Sequence, residues 1–255
     1  MMTPLLDIIR VGVEFGGVRA LADVSFSIAT GEFLSLIGPN GAGKTTLIRA
    51  ITGVIRPQPG QIVFSGKEIT GRPIHRRIRM GLAMTYQIVR PFRSMNVIDN
   101  VALSAGHHQT RHALKAMLLL NRGPALKTAK TLLELVGISK FADHPIQGLP
   151  LGVLKRLELA RALALDPKLL LLDEPLAGLN SREASRLADT ITAINQNNVT
   201  VMMIEHNLGE VLRVSQRLVV LDNGRKIADG KPEDVMADPV VRSAYVGKEK
   251  QNVTA

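Results

Sequence analysis

Short apolar runs with strand character alternate along the chain with segments of helical periodicity. The clearest apolar runs lie at 33–37, 169–172, 199–204 and 217–221. The segment 45–52 has a helical pattern, and a later segment repeats apolar side chains with the period of a helix, at Ala184, Leu187, Ala188, Ile191 and Ile194. This alternation is typical of an α/β fold in which helices cross between parallel strands.

The pattern changes between residue 88 and about residue 157, where strand signals vanish and helical ones dominate. One helical face there carries apolar side chains at Ala125, Leu126, Ala129, Leu132, Leu133 and Val136. We therefore expect a mostly helical insertion in the α/β core. Further on, Asn180 and Glu183 have the spacing of a capping box, which predicts a helix that begins at this point.

The apolar runs are too short for a membrane-spanning helix. The longest, such as 116–120 and 169–172, fall far below the roughly 20 residues that a span requires. The first residues carry neither a basic leader nor a long apolar segment, so no signal peptide is predicted. The 255 residues include no cysteine, which excludes disulfides and thiolate metal sites and suits the cytosol.

Positive charge is concentrated in the middle third of the chain. The net charge is +10, and residues 71–161 hold 15 Lys/Arg against four Asp/Glu. Three interpretations stay open: a solvated face, contact with an anionic membrane surface, and nucleic-acid binding. With two tyrosines, six phenylalanines and no tryptophan, few rings are present for base stacking, which weakens the nucleic-acid interpretation.

A glycine-rich segment after the first apolar run has the full P-loop pattern, G-x-x-x-x-G-K-[ST]. It comprises Gly38, Pro39, Asn40, Gly41, Ala42, Gly43, Lys44, Thr45 and Thr46. Its glycines let backbone N–H groups turn inward onto phosphate oxygens, and the following helix adds its N-terminal dipole. We expect Lys44 to reach the β- and γ-phosphates of a nucleotide and Thr45 to place its hydroxyl on Mg²⁺.

Two acids, Asp173 and Glu174, follow the all-leucine run. At the carboxyl end of a strand that is buried on both faces, such carboxylates meet a ligand at the edge of the sheet. We expect Asp173 to hold Mg²⁺ through water and Glu174 to act as general base toward the attacking water. Taken alone, the run also fits a strand that merely ends in acids. Its combination with a complete P-loop favours nucleotide hydrolysis.

The order and spacing of these motifs resemble those of the ATP-binding-cassette (ABC) ATPases over nearly the whole chain. The matching segments are GPNGAGKTT at 38–46, TYQ at 85–87, LPLGVLKRLELARAL at 149–163, LLLLDEP at 169–175, AGLN at 177–180 and IEHN at 204–207. The resemblance implies a single ABC ATPase domain of the α/β class, with a parallel-sheet P-loop NTPase core and an N-terminal antiparallel β subdomain. The implied divisions are a nucleotide-binding core at 1–87 and 158–232, a helical subdomain at 88–157 and a C-terminal extension at 233–255.

The resemblance also assigns residues to an ATP and Mg²⁺ site. Glu174 and His206 are the implied catalytic residues, with His206 touching the γ-phosphate. Gln87 is implied to contact Mg²⁺ and to sense a membrane partner, Phe15 to stack on adenine, and Gly152 to meet the nucleotide of a second subunit. The implied metal ligands are Thr45, Gln87 and Asp173, and the implied nucleotide contacts are Phe15, Gln87, Gly152 and the P-loop residues 38–46.

Two positions depart from the family pattern. The family signature Leu-Ser-Gly-Gly-Gln reads Leu149-Pro150-Leu151-Gly152-Val153 here, so Pro150 replaces the serine that would donate to a γ-phosphate across a dimer. Asn180 stands where the family usually has aspartate. Both departures concern what this chain gives to the opposite site, whereas its own half-site is complete.

Within the family, the segments 86–92, 177–180 and 238–247 look like those of the branched-chain amino-acid importer ATPases. The resemblance implies a second ABC ATPase subunit, identical or different, with integral membrane permease subunits and indirectly a solute-binding protein, at the cytoplasmic face of the inner membrane. Lipopolysaccharide-export and urea-import ATPases have similar tails and remain alternatives. A nucleic-acid-associated ABC ATPase is the alternative of a different class. It would usually carry long coiled coils for which this chain has no room, so nucleic acid is not expected as a partner.

Overall fold

The computed structural model describes residues 4–106 and 122–249, and within them the strands form two sheets. The strands are β1 (Leu6–Phe15), β2 (Val18–Ile28), β3 (Phe33–Ile37), β4 (Gln61–Phe64), β5 (Lys67–Glu68), β6 (Leu82–Thr85), β7 (Leu169–Asp173), β8 (Thr200–Ile204), β9 (Arg217–Asp222) and β10 (Arg225–Gly230). The larger sheet has the order β10-β9-β3-β8-β7-β6 and is parallel except for the β9–β10 pair. The strand that leads into the P-loop, β3, is therefore a central strand with β8 on one side and β9 on the other.

The smaller sheet is antiparallel and has the order β2-β1-β4-β5. Its long β1–β2 hairpin turns at Gly16 and Gly17, both of which have positive φ angles. It forms the antiparallel β subdomain that the resemblance implies, and the parallel sheet confirms the predicted α/β class.

Helices cover both faces of the larger sheet. They are α1 (Lys44–Thr52), α2 (Ile74–Arg79), α3 (Val97–Ala105), α4 (Gly123–Leu135), α5 (Leu151–Leu163), α6 (Ser181–Gln196), α7 (Leu208–Val214), α8 (Pro232–Ala237) and α9 (Pro239–Glu249). Among the residues described, no helix combines the length and the apolar character that a membrane span needs. The apolar run 116–120 lies outside the described residues.

Two apolar cores lie on opposite faces of the larger sheet, and alternate residues of each strand belong to alternate cores. In β7, Leu170 and Leu172 pack in the core that includes α3, α4, α5 and α6, whereas Leu169 and Leu171 pack in the core that includes α1 and the smaller sheet. All four leucines are fully buried. This two-sided burial explains why β7 is a continuous run of leucine.

The four predicted strands are present with bounds that differ by at most one residue, and the predicted helix at 45–52 begins at Lys44. Between β6 and β7 the described residues form helices connected by turns and loops, and an isolated bridge joins Asn96 and Pro145. The helix α5 runs through the division predicted at residue 157, because Leu157 and Leu159 are buried in one continuous core. The helical segment and the nucleotide-binding core therefore share this helix.

Candidate functional site

The P-loop begins where β3 ends, at a turn that requires glycine. Gly38 has a φ of 146°, and a Cβ there would lie 2.0 Å from the main-chain oxygen of Leu221. Gly43 is the N-cap of α1, has a φ of 100° and provides no side-chain cap. Gly43 consequently offers no side-chain oxygen to which the first N–H groups of α1 could donate, which suits this helix end to an anion.

The Lys44 side chain is folded back across the loop. Its Nζ donates to the main-chain oxygens of Gly38 at 2.7 Å and Pro39 at 3.0 Å, and the residue is almost completely buried. The ammonium group thus lies inside the loop, where it would meet the phosphates of a nucleotide. The remaining loop residues differ in exposure: Pro39 and Ala42 are buried, Gly43 and Thr46 are half-buried, and Asn40, Gly41 and Thr45 are exposed.

Glu174, directly after β7, joins two other predicted site residues through its carboxylate. Oε2 accepts a hydrogen bond from Gln87 Nε2 at 2.6 Å, and Oε1 lies 3.0 Å from His206 Nε2. Gln87 follows β6 and His206 follows β8, the two strands that flank β7. Glu174 itself has a φ of 49°, a left-handed conformation that is uncommon for a residue with a side chain. Three residues predicted from separate motifs therefore meet at the carboxyl edge of the sheet.

Asp173 ends β7 at the same edge and is buried. Burial raises the pKa of its carboxyl group above the ordinary value, and the charge of Glu174 raises it further. The cations Arg49, Lys155 and Lys44 act in the opposite direction. The carboxylate is thus close enough to the P-loop lysine for their charges to interact, as expected of an acid beside the phosphates.

The residues predicted to hold Mg²⁺ all carry oxygen donors. The Thr45 hydroxyl, the Asp173 carboxylate and the Gln87 amide oxygen are hard ligands of the kind that Mg²⁺ prefers. In the described part of the chain, no group of three or more His, Asp or Glu side chains could hold a metal. Mg²⁺ at this site would consequently depend on phosphate oxygens to complete its ligands, which is usual for nucleotide sites.

Glu205 is a buried acid that the sequence did not single out. Its Oε1 accepts from the N–H of Leu176 at 2.6 Å, and its Oε2 accepts from the N–H of His206 at 3.1 Å. Burial raises the pKa of this carboxyl group, while the backbone hydrogen bonds oppose the rise. Glu205 thereby ties the segment after β7 to the segment after β8 and holds His206 beside Glu174. The position of Glu205 in the motif IEHN, at 204–207, could have identified it from the sequence.

Gly152 lies in a second cluster that is separate from the P-loop. A Cβ at Gly152 would lie 3.3 Å from Glu183 Oε1, and one at Gly178 would lie 2.9 Å from Leu151 Cδ2. Pro150 is the N-cap of α5 and offers no side-chain cap. The N-terminus of α5 therefore packs against the start of α6 in its own chain, and Leu151 remains 41% exposed.

Phe15 lies at the end of β1 in the smaller sheet, outside the cluster around Glu174. Its side chain is 51% exposed, and its cross-strand neighbour Val18 is 70% exposed. An exposed aromatic ring at a strand end can stack on a flat ligand. The adjoining Ala20 main chain reaches the P-loop, because its oxygen lies 2.6 Å from the position of a Cβ on Gly43.

Two further residues contact the site and were not assigned from the sequence. Lys155 of α5 donates to the main-chain oxygens of Gln87 and Glu174. Tyr245 of α9 is hydrogen-bonded to the Gly38 backbone, and burial raises the pKa of its hydroxyl to about 12. Tyr245 lies in the segment 238–247, which resembles the importer ATPases but indicates no role for this residue. Nothing in the sequence distinguishes Lys155 from the other residues of α5.

Two family models match the chain. The model described as "ABC transporter" matches residues 21–177, and the one described as "Branched-chain amino acid ATP-binding cassette transporter" matches residues 225–250. The first match contains the P-loop, Gln87, the signature segment and both acids after β7. The second contains α8 and α9.

Individual relatives match over most of their length. The high-affinity branched-chain amino acid transport ATP-binding protein LivG of Salmonella typhimurium is 38% identical over 97% of this chain and 100% of its own. The lipopolysaccharide export system ATP-binding protein LptB of Acidithiobacillus ferridurans is 34% identical over 90% of this chain and 91% of its own. A solved ATP-binding cassette of an ABC transporter in its ADP conformation superposes with a TM-score of 0.83 at 29% identity, over 96% of this chain and 100% of that one.

Proposed function

Since this chain belongs to the ABC transporter family of ATP-binding proteins, we propose that it is the ATP-hydrolysing subunit of a transporter that imports branched-chain amino acids. The nucleotide site is the P-loop edge of the larger sheet, with Lys44 on the phosphates and Glu174 as the base. The observation that carries this proposal is the position of Glu174, whose two carboxylate oxygens contact Gln87 and His206.

The chemistry follows from these contacts. Glu174 would accept a proton from the water that attacks the γ-phosphate, since an ionised carboxylate within hydrogen-bond reach can act as a general base. Gln87 and His206 hold the carboxylate oriented, and Lys44 stabilises negative charge on the phosphates. Mg²⁺, when bound through Thr45, Asp173 and Gln87, would neutralise charge on the β- and γ-phosphates.

The solute class rests on the tail of the chain and on the relatives. Residues 225–250 match the model for branched-chain amino acid cassettes, and LivG is similar over 97% of the chain. Lipopolysaccharide export is the second candidate, because LptB is similar over 90% of the chain at a lower identity. The match at α8 and α9 favours the amino-acid importer.

The partners would be a second ABC ATPase subunit, membrane permease subunits and, indirectly, a solute-binding protein, with the chain peripheral at the cytoplasmic membrane face. Apolar side chains beside Gln87 support a protein partner at that point: Tyr86 is 51% exposed and Ile88 is 68% exposed. Phe92 nearby is also exposed and carries the Arg161 guanidinium over its ring. An exposed apolar group of this kind next to a residue of the nucleotide site suits a docking site.

The test is a transporter assembled from this chain and the subunits that co-purify with it, reconstituted in vesicles with leucine as the solute. Wild-type transporter should hydrolyse ATP and accumulate leucine. The Glu174→Gln variant should bind ATP with nearly unchanged affinity but lose hydrolysis and uptake, because the amide keeps the shape and cannot accept the proton. Hydrolysis by Glu174→Gln near the wild-type rate would refute the assignment of Glu174 as the base. Leucine-independent hydrolysis that is stimulated by lipopolysaccharide would refute the assignment of branched-chain amino acids as the solute.

A further inference from the structure

Lys155 is a buried lysine that lies between helix α5 and the loops that contain Gln87 and Glu174. It lies on α5, one turn after Pro150 and Gly152, and is only 6% exposed. Its Nζ donates to the main-chain oxygen of Gln87 at 3.0 Å and to that of Glu174 at 3.1 Å. The chemistry proposed above does not use this group.

The Lys155 ammonium group is buried among hydrogen-bond acceptors and acidic side chains. Burial lowers its pKa, and the charges of Glu205, Glu174, Asp173 and Glu158 act against that decrease. A buried cation is retained at little cost only where partners compensate for its lost hydration. Here two carbonyl oxygens and four nearby carboxyl groups provide that compensation.

The two acceptors of Lys155 belong to the loops that orient the catalytic carboxylate. Glu174 holds its left-handed conformation between two hydrogen bonds, since its N–H donates to Ile204 at 3.0 Å and its carbonyl accepts from Lys155. The Gln87 carbonyl accepts from the same ammonium group, and the Gln87 side chain donates to Glu174. A shift of α5 would therefore move both loops together.

We propose that Lys155 is a positioning residue that couples the N-terminal end of α5, which carries Gly152, to the conformation of Gln87 and Glu174. This inference rests on the proposed function, in which the first turn of α5 faces the nucleotide of the opposite subunit. In this arrangement, the position of α5 determines the orientation of the Glu174 carboxylate. Closure of the two subunits on ATP would press on α5, and Lys155 would transmit the resulting position of α5 to the base.

The experiment compares Lys155→Met with Lys155→Arg in the assembled transporter. Methionine keeps most of the aliphatic stem and removes the ammonium donors, whereas arginine keeps a cation that can donate to both carbonyls. Lys155→Met should lower kcat for ATP by roughly ten- to a hundredfold, the size expected of a misplaced catalytic group. The KM for ATP should stay near the wild-type value, because Lys155 donates to the carbonyls of Gln87 and Glu174, whereas the phosphates are expected at Lys44. Lys155→Arg should restore most of kcat.

Arg156 provides the matched control on the same helix. Its guanidinium donates to Val136 and Thr190, both within or beside the helical segment and away from Gln87 and Glu174. Arg156→Met should lower the melting temperature while the folded fraction keeps the wild-type kcat. The pair of variants thus separates the loss of a partly buried cation from the loss of loop positioning.

Two outcomes decide the matter. A kcat within about twofold of wild type for Lys155→Met, in a protein whose Glu174→Gln variant is inactive, would overturn the coupling and leave the proposed function intact. Activity in Glu174→Gln would instead show that the proposed base is wrong. If Lys155→Met does not fold, Lys155→Gln, which keeps an uncharged N–H donor on a shorter stem, is measured against the same threshold.

Discussion

At the scale of single residues, Tyr245 connects the C-terminal helix to the phosphate loop. Its hydroxyl is hydrogen-bonded to the backbone of Gly38, the first glycine of the P-loop, and its ring packs against the core beneath α9. Gly38 cannot carry a side chain beside Leu221, so the loop relies on backbone contacts at this point. Tyr245 supplies one of these contacts from the far end of the chain.

The raised pKa of Tyr245 predicts a loss of stability in alkaline solution. The ordinary pKa is 10.0 and the folded value is about 12, so the unfolded chain releases this proton first. The contribution of Tyr245 is complete below about pH 10 and declines as pH rises toward 12. Urea unfolding at pH 9 and pH 11 should therefore show a larger decrease for the wild type than for Tyr245→Phe. An equal decrease in both proteins would contradict the assignment.

The motifs of the sequence predicted three residues that the structure brings together, but gave no sign of two buried cations. Gln87, Glu174 and His206 stand in motifs with fixed spacing, so they could be placed before their contacts were known. Arg77 and Lys155 lie within the basic middle third, where cations are expected on the surface. Both are buried, because main-chain carbonyls from distant segments accept their hydrogen bonds. Such acceptors leave no pattern in the sequence.

At the scale of elements, the start of α6 shows how local sequence and function coincide. The Asn180 side chain accepts a hydrogen bond from the N–H of Glu183, and the Glu183 carboxylate accepts one from the N–H of Asn180, which completes the predicted capping box. Aspartate, the usual family residue, can accept the same N–H hydrogen bond. The exchange of Asp for Asn therefore leaves this helix capped and changes the charge that the position presents.

The short helix α2 caps the P-loop helix α1 through Arg77. Its guanidinium donates to Ala50 and Ile51 at the end of α1, and also to Thr70 and Arg72. Burial lowers the pKa of this group to about 10, so it remains charged at neutral pH. A cation at a helix C-terminus interacts favourably with the helix dipole and satisfies the last carbonyl groups.

Replacement of Arg77 by methionine should destabilise the protein by about 3 kcal/mol or more, because buried carbonyl groups lose their hydrogen-bond donor. Arg76→Met, at an exposed position of the same helix, is the matched control and should change the free energy of unfolding by less than about 0.5 kcal/mol. Equilibrium urea unfolding measures both values. Similar values for the two variants would show that the Arg77 contacts contribute little.

The division between the subdomains at α5 could not be predicted from the sequence. The apolar period predicted helices between β6 and β7, but the division between subdomains depends on which core a helix joins. Leu157 and Leu159 join the same core as Leu170 and Leu172 of β7, and α5 continues past the predicted division. Tertiary packing decides such boundaries, and periodicity alone does not record it.

At the scale of the whole molecule, the two clusters of the site imply an unequal pair of subunits. This chain has a complete P-loop, Asp173 and Glu174, whereas the N-cap of α5 is Pro150, which has no hydroxyl and no N–H. A lost hydrogen bond to a charged phosphate costs about 1.5–3 kcal/mol, or roughly ten- to over a hundredfold in affinity of the closed state. A homodimer would have this deficit at both sites.

We therefore predict a heterodimer in which this chain's own nucleotide site is the more active one. Inactivation of the catalytic glutamate in each subunit of the reconstituted transporter tests this directly. Loss of Glu174 from this chain should reduce hydrolysis much more than loss of the partner's glutamate, because the partner's site would be closed by Pro150. Equal reductions would mean that backbone donors at Gly152 compensate for the missing hydroxyl.

The central position of β3 has a consequence for the time at which the protein acquires its nucleotide site during synthesis. β3 ends at Ile37, but its two neighbours, β8 and β9, begin only at Thr200 and Arg217. A growing chain leaves the ribosome from its N-terminus, so β3 and the P-loop emerge long before either neighbour exists, and pairing over such a separation is slow. The β1–β2 hairpin can form at once, whereas β3 must wait with five buried residues unpaired. A nascent chain that stops before residue 200 would contain every P-loop residue and still have no sheet to hold the loop.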